Sequence, residues 1–416
     1  MEVLHQRCAG IDIGKASAKV CVRIQGSGSR KTSMDVSDWG SMTDQVLALR
    51  DYLQAQQVTC IVMEATSDYW KPFYYVLEDL IDDGVTLLLA NAAQVKNVPG
   101  RKTDVNDAMW LSDLGAHGLV RGSFVPPQPI RELRDLTRLR TVYVRERVRE
   151  VSRLEKRLEG PGIKLSLVAS NLEGVSANRM LRALVDGERD PEVLADLAVK
   201  RMRDAKRPQL VRALTGRFSD HDGRIIGFHL DHIAALDGQI RELEALIEEA
   251  MSPFRRARDL LCTIPGISVT VANIIIAETG GDMSVFPTPE QFVSWIGVSP
   301  GQYQSANRRK NVKARPGDTW LKGALGISAL AIAKSNGQYY LAVRYRRIKA
   351  RRGFLRAIVA TERAMGVAIW YMLTTDTEFH DLGGDHYERT NADRTRRRAL
   401  NQLRNLGYNV EITKAA

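Results

Sequence analysis

The chain has 416 residues, 44% of them hydrophobic, with 60 Lys and Arg against 49 Asp and Glu for a net charge of +11. Such length and apolar content exclude a disordered or fibrous chain and predict two or three domains, while the charge points to a polyanionic partner. No signal peptide or bilayer-length apolar run is visible, and Cys8, Cys21, Cys60 and Cys262 lack CxxC spacing, so reduced cytoplasmic thiols are expected rather than a membrane, disulfide-rich or zinc-binding protein.

The charge is unevenly placed. Residues 1–125 hold 12 Lys and Arg against 15 acids, and the rest of the chain holds 48 against 34. An acidic head on a basic body suits a nucleic-acid enzyme better than a general phosphate binder.

Residues 8–13 (Cys-Ala-Gly-Ile-Asp-Ile) read as a buried strand, residues 18–24 as a second and residues 33–36 as a third. Asp12 lies between Ile11 and Ile13, where an ionised side chain costs several kcal/mol unless it is paired or bound to a metal. A helix over residues 41–56 shows Val46, Leu47, Leu49 and Leu53 on one face. Residues 59–63 form the next strand, with Glu64 directly at its end. Ser67 or Asp68 caps a helix carrying Tyr69, Trp70, Phe73, Val76, Leu77 and Leu80, and residues 85–90 are a further strand. Pro99-Gly100 then ends that segment, and a helix starts near Thr103 or Asp104. Asp104 and Asp107, three apart, share a face of it. Taken alone they read as N-terminal helix acids favoured by the dipole. With Asp12 and Glu64 at strand positions, the order predicts carboxylates gathered at one sheet edge, where two divalent cations serve phosphoryl transfer.

The stretches Gly-Ile-Asp-Ile-Gly-Lys, Met-Glu-Ala-Thr and Lys-Thr-Asp-Val-Asn-Asp-Ala around Asp12, Glu64, Asp104 and Asp107 resemble the N-terminal domain of the DEDD insertion-sequence transposases. That family includes Piv-type DNA invertases and bridge-RNA-guided recombinases. The resemblance implies a RuvC/RNase H-like domain whose acidic quartet binds Mg2+, with Asp12, Glu64, Asp104 and Asp107 as ligands. It implies no role for Thr103 or Asn106.

Pro126, Pro127 and Pro129 punctuate a linker before a long helix over residues 130–158, with Leu133, Leu136, Val144, Val148, Val151, Leu154 and Leu158 at near-heptad spacing. Its basic residues fit a solvated flank and nucleic-acid contact equally. Residues 163–222 read as short helices without chemistry. From Ile226 a second heptad places Ile226, Ile233, Ile240 and Ile247 at a and His229, Leu236, Leu243 and Ala250 at d. Its partner is either the 130–158 helix or a second protomer. His229 and His232 read as packed rather than metal-binding, because no further ligand completes a set.

Residues 260–279, with Pro265-Gly266 between two helices, resemble a helix-hairpin-helix, an arrangement that presents amides to a phosphate; an ordinary helical turn fits as well. The following stretch Gly297-Val298-Ser299-Pro300-Gly301-Gln302-Tyr303-Gln304-Ser305-Ala306-Asn307-Arg308-Arg309-Lys310 resembles the same family's C-terminal transposase motif. By that resemblance Ser305 is the nucleophile, although Ala306 stands where the family usually has glycine, and Ser299 competes for the role. Arg308, Arg309, Lys310, Lys313 and Arg315 would neutralise phosphates beside it. Residues 320–333 and 357–373 read as apolar helices. Between them Tyr339, Tyr340 and Tyr345 interleave with Arg344, Arg346, Arg347, Lys349, Arg351 and Arg352, which suits base stacking plus phosphate contact as well as a basic face over packed tyrosines. Residue 374 onward is polar, a short basic extension.

The expected class is therefore α/β plus all-α: a catalytic domain over 1–125, a helical coiled-coil region over 126–257, a mostly helical transposase domain over 258–375 and an extension over 376–416. The expected activity is cutting and rejoining DNA through a phosphoserine with Mg2+, at a composite site. DNA, a guide RNA and further copies of the chain are the expected partners, and no membrane is. A RuvC-like Holliday-junction nuclease with a metal-activated water would leave the C-terminal motif unexplained. An actin-like kinase would need a second phosphate loop and an adenosine motif that are not found, and a non-catalytic scaffold leaves Asp12 unexplained.

Overall fold

The computed structural model describes residues 2–65, 67–91, 95, 107–301, 304–305, 308–309, 314, 316–390 and 392–411. The chain divides into two compact units, Met1–Val125 and Pro126–Ala416.

The first unit is mixed α/β. In chain order it contains β1 (Arg7–Ile13), β2 (Ser17–Ile24), β3 (Ser33–Gly40), α1 (Thr43–Ala55), β4 (Cys60–Glu64), α2 (Trp70–Leu77), α3 (Asp79–Asp82), β5 (Thr86–Ala90) and α4 (Asp107–Ala116). The strand order is β3-β2-β1-β4-β5. β2 runs antiparallel to β1 and β3, whereas β1, β4 and β5 are mutually parallel. Side chains alternate faces along a strand. Ala9, Ile11, Ile13, Ile61 and Met63 therefore pack with Val46, Leu49 and Leu53 of α1 and Phe73 and Leu77 of α2. Cys8, Cys60 and Val62 meet Leu111 and Leu114 of α4 on the opposite face. Burial on both faces explains why β1 and β4 read as almost continuous apolar runs.

One expected cap is corrected. α2 begins after Tyr69, which makes no side-chain cap. Ser67 has φ 49°, and Asp68 pairs with Lys71 at 2.9 Å. The expected single helix also divides, because α2 stops at Leu77 and α3 follows.

The second unit is mostly helical. It comprises α5 (Gln128–Glu159), α6 (Val175–Val185), α7 (Pro191–Asp196), α8 (Lys200–Leu214), α9 (Asp220–Ala250), α10 (Arg255–Cys262), α11 (Val269–Thr279) and α12 (Pro289–Ile296), then the short strands β6 (Gln304–Ser305) and β7 (Arg308–Arg309). α13 (Thr319–Lys334), α14 (Tyr340–Arg352), α15 (Phe354–Thr375), α16 (His386–Thr390) and α17 (Ala392–Asn405) follow. The extension after residue 374 is thus helical in part, and α15 is not the last helix. Among the described residues, no helix is long and apolar enough to cross a membrane.

A capping box of Ser219 and Asp222 starts α9. α9 lies antiparallel to α5 of the same chain, an orientation fixed by the pairs Arg140–Glu244, Arg147–Asp237, Glu150–His229 and Arg157–Asp222. Ile226, Leu230, Ile233, Leu236, Ile240, Leu243 and Ile247 are buried along the seam. Within the chain, the heptad packs against α5. His229 is displaced from the expected seam position by Leu230, and its Nδ1 meets Glu150 Oε1 at the flank. Val148, expected in the seam, is exposed.

α11 is buried at every position from Val271 to Thr279. The turn before it brings Gly266, at φ 87°, against α13, where a Cβ would lie 2.9 Å from the Ser328 carbonyl oxygen. Next to this core, Glu278 is fully buried and receives Nε and Nη2 of Arg138 at 2.8 and 2.7 Å, with Arg134 Nε at 3.2 Å.

Candidate functional site

Three of the four predicted metal ligands lie in the described residues. β1 and β4 are parallel and in register to Ile11–Met63, so Asp12 and Glu64 are the next pair on adjoining strands. By alternation both belong to the face that carries Cys8, Gly10, Cys60 and Val62, the face covered by α4. Asp107 opens α4. Asp12 and Asp107 lie close enough to interact: burial pushes the Asp12 carboxyl above its usual range, and the negative charge of Asp107 pushes it further. Lys19, its cross-strand neighbour, pulls the other way but is itself paired with Asp38 at 2.9 Å. Asp104 lies outside the described residues. Among the described residues, no three His, Cys, Asp or Glu side chains are gathered closely enough for a metal ion.

What sets Asp107 against β1 is a pair of glycines that the acid pattern does not reveal. A Cβ on Gly10 would stand 2.1 Å from the Ala108 carbonyl oxygen and 2.4 Å from the Ser112 nitrogen. On α4, a Cβ on Gly115 would stand 2.7 Å from Cys8 Sγ and 2.6 Å from Val62 Cγ2. Helix backbone therefore lies directly on the strand. Arg23, almost fully buried on β2, fastens the middle of α4 by donating from Nε to Asp113 Oδ1 at 3.1 Å. A glycine inside an apolar strand is the one signal in the sequence that could have disclosed this approach.

In the second unit, α12 ends at Gly297 with φ 81°, and Lys322 Nζ donates to its carbonyl oxygen at 3.0 Å. Ser299 follows, half-buried. The Ser305 backbone pairs antiparallel with Arg308, and Gln304 with Arg309, in a minimal hairpin. Lys310, Lys313 and Arg315 fall outside the described residues.

The other predicted nucleic-acid residues, Arg344, Arg346, Arg347, Lys349, Arg351 and Arg352, all lie on α14. Lys349, Arg351 and Arg352 are exposed, whereas Arg346 Nη2 donates to the Gly337 carbonyl at 2.9 Å. The tyrosines beside them are not open platforms. Tyr345 is buried edge-on to Phe354, and Tyr340 is stacked on Tyr387.

A mixed α/β unit with acids at strand ends, followed by a helical unit with a serine motif in a basic region, is the layout of an insertion-sequence transposase, and the sequence comparisons agree. A family described as transposase, the DEDD type of IS110, matches residues 9–161. A second, described as the transposase IS116/IS110/IS902 family, matches residues 258–345. The chain belongs to the IS110-type insertion-sequence transposases, which cut DNA and transfer its strands. Among curated proteins it is 24% identical to the insertion element IS900 uncharacterized 42 kDa protein of Mycobacterium paratuberculosis, over 89% of this chain and 96% of that one.

Proposed function

We propose that this transposase cuts and rejoins its DNA through a phosphoserine on Ser305, with Mg2+ held by Asp12, Glu64, Asp104 and Asp107. The observation that carries the metal assignment is the meeting of Asp12 and Asp107 at the edge where Glu64 also ends its strand. Burial and like charge both disfavour an ionised Asp12, and a divalent cation on these hard oxygen donors offsets both. When bound, Mg2+ supplies Lewis-acid stabilisation of charge at phosphorus and acidifies a coordinated hydroxyl.

Ser305 Oγ forms its bond to phosphorus as the bond to the leaving deoxyribose oxygen breaks, and the serine proton ends on that oxygen. Attack by the joining strand's hydroxyl reverses the exchange and releases the serine. Arg308 and Arg309, with Lys310, Lys313 and Arg315, neutralise the flanking phosphates. The five-stranded sheet, with its antiparallel β1–β3 and parallel β4 and β5, supports a RuvC/RNase H-like assignment of the first unit.

The same reading divides the chain into catalytic (1–125), linking (126–257), transposase (258–375) and extension (376–416) parts. It retains a guide RNA and further copies of the chain as partners, the latter through surfaces other than the α9 seam. Ser305→Ala should bind DNA but form no covalent protein–DNA adduct, while Ser299→Ala still forms one. Adduct formation lost only in Ser299→Ala would move the nucleophile. A junction nuclease using water would form no adduct in any variant.

A further inference from the structure

After α15 the chain folds back onto the start of α14. Asp381 Oδ1 accepts a hydrogen bond from the Tyr340 amide at 2.9 Å, supplying the cap that Tyr339 does not. Gly384 lies so close to Gln338 that a Cβ would stand 2.2 Å from its carbonyl oxygen. This fold-back delivers Tyr387 to α14. Its ring stacks on Tyr340 with centroids 5.6 Å apart and planes 16° apart, and the Arg347 guanidinium lies 4.5 Å from its centroid. Arg344 Nη1 reaches the hydroxyls of both Tyr340 and Tyr387 at 3.3 Å. Tyr340, Arg344 and Arg347, spaced i, i+4 and i+7, share one stripe of the helix.

The occupant of this stripe is flat, aromatic and polar at one edge, as an unstacked nucleobase is. Its surroundings ask for more than Tyr387 provides. Between Arg344 and Arg352 the helix carries six Lys and Arg and no acid. Tyr387 brings an aromatic face but no phosphate to these cations, whereas a base arriving with its phosphates satisfies both together.

We propose that Tyr340, Arg344 and Arg347 form a slot for one unpaired nucleobase of a single strand, and that Tyr387 fills this slot when no nucleic acid is bound. The inference rests on the transposase reading only for the presence of a nucleic-acid substrate. It does not depend on the phosphoserine or on the metal site.

The test uses the full chain and a single-stranded oligonucleotide containing one 2-aminopurine. Binding is read by anisotropy and stacking by 2-aminopurine quenching. Tyr387→Ala should tighten binding by roughly fivefold to tenfold and deepen the quench, because the competing ring is gone. Tyr387→Phe, which keeps the ring, should bind like the parent. Tyr340→Ala should weaken binding and lose the quench. In the unaltered protein, saturating oligonucleotide should speed hydrogen exchange over residues 384–390, a readout that needs no variant to fold. Unchanged or slowed exchange there, or unchanged quenching in Tyr340→Ala, would overturn the slot and leave Tyr387 as tail packing alone. A failed adduct assay with these outcomes intact would defeat the phosphoserine reading and not this one.

Discussion

Glu278 in the second unit and Asp12 in the first are both carboxylates that burial holds above their usual range, yet their neighbours differ in sign. Arg138 and Arg134 converge on Glu278 and oppose the effect of burial, although Asp318 adds to it. At Asp12 the largest influence after burial is another carboxylate, Asp107, and it adds to burial, although Lys19 opposes it. A carboxylate matched by arginines is complete within the protein and holds α5 to α11. A carboxylate crowded by another carboxylate is the situation that the proposed Mg2+ would relieve. On the proposed reading, the contrast separates an acid that supports structure from one that would hold a metal ion.

The hardest way to break the rule of matched charge is to bury cations with no partner. Ile233→Lys with Ile240→Lys would place two ammonium groups in the α5–α9 seam and should cost more than about 5 kcal/mol. Circular dichroism should show lost helix in the second unit. Dissociation of an assembly with helix content intact would mean that the seam joins protomers after all. Next in size, Glu278→Ala should cost about 3–5 kcal/mol, because Arg134 and Arg138 then lie partly buried without the carboxylate they converge on. A loss below about 1 kcal/mol in urea unfolding would show that water replaces the carboxylate and that the matching is incidental.

Gly10→Ala tests what places Asp107 beside Asp12. The new methyl would overlap backbone atoms of α4 and should cost about 1–3 kcal/mol in thermal unfolding, together with most strand-transfer activity. Full activity at lowered stability would mean that the spacing of the acids is not set by this contact.

Smallest in stability is Asp12→Asn, expected to lie within about 1 kcal/mol of the parent without metal because the site is partly solvated. The sign of its pH dependence follows from the raised carboxyl. In metal-free protein the stability that protonated Asp12 contributes is present below its unfolded pKa and is lost as pH rises through the folded value. Asp12→Asn should flatten that decline. Mg2+ should raise the melting temperature of the parent and not of the variant; an equal Mg2+ shift in both would remove Asp12 from the ligand set.

The amino-acid sequence determined much of this protein by itself. The nearly continuous apolar runs in residues 8–13 and 59–63 fixed β1 and β4, because a strand buried on both faces has few other places to put Ile11, Ile61 and Met63. The heptads fixed the two long helices, and the wording around Asp12, Glu64 and Asp107 identified the family. Other features were decided only by the tertiary structure. The heptad was compatible with two partners, and the choice of α5 depended on cross-helix pairs such as Arg147–Asp237, about 90 residues apart in the chain. Ser67 was a suitable cap by type, but its left-handed backbone left that role to no side chain. The arginines of α14 were legible as charge, whereas the occupation of their stripe by Tyr387 depended on a fold-back about 40 residues downstream. Periodicity reports which face of an element is apolar; which element covers that face is settled by contacts distant in sequence.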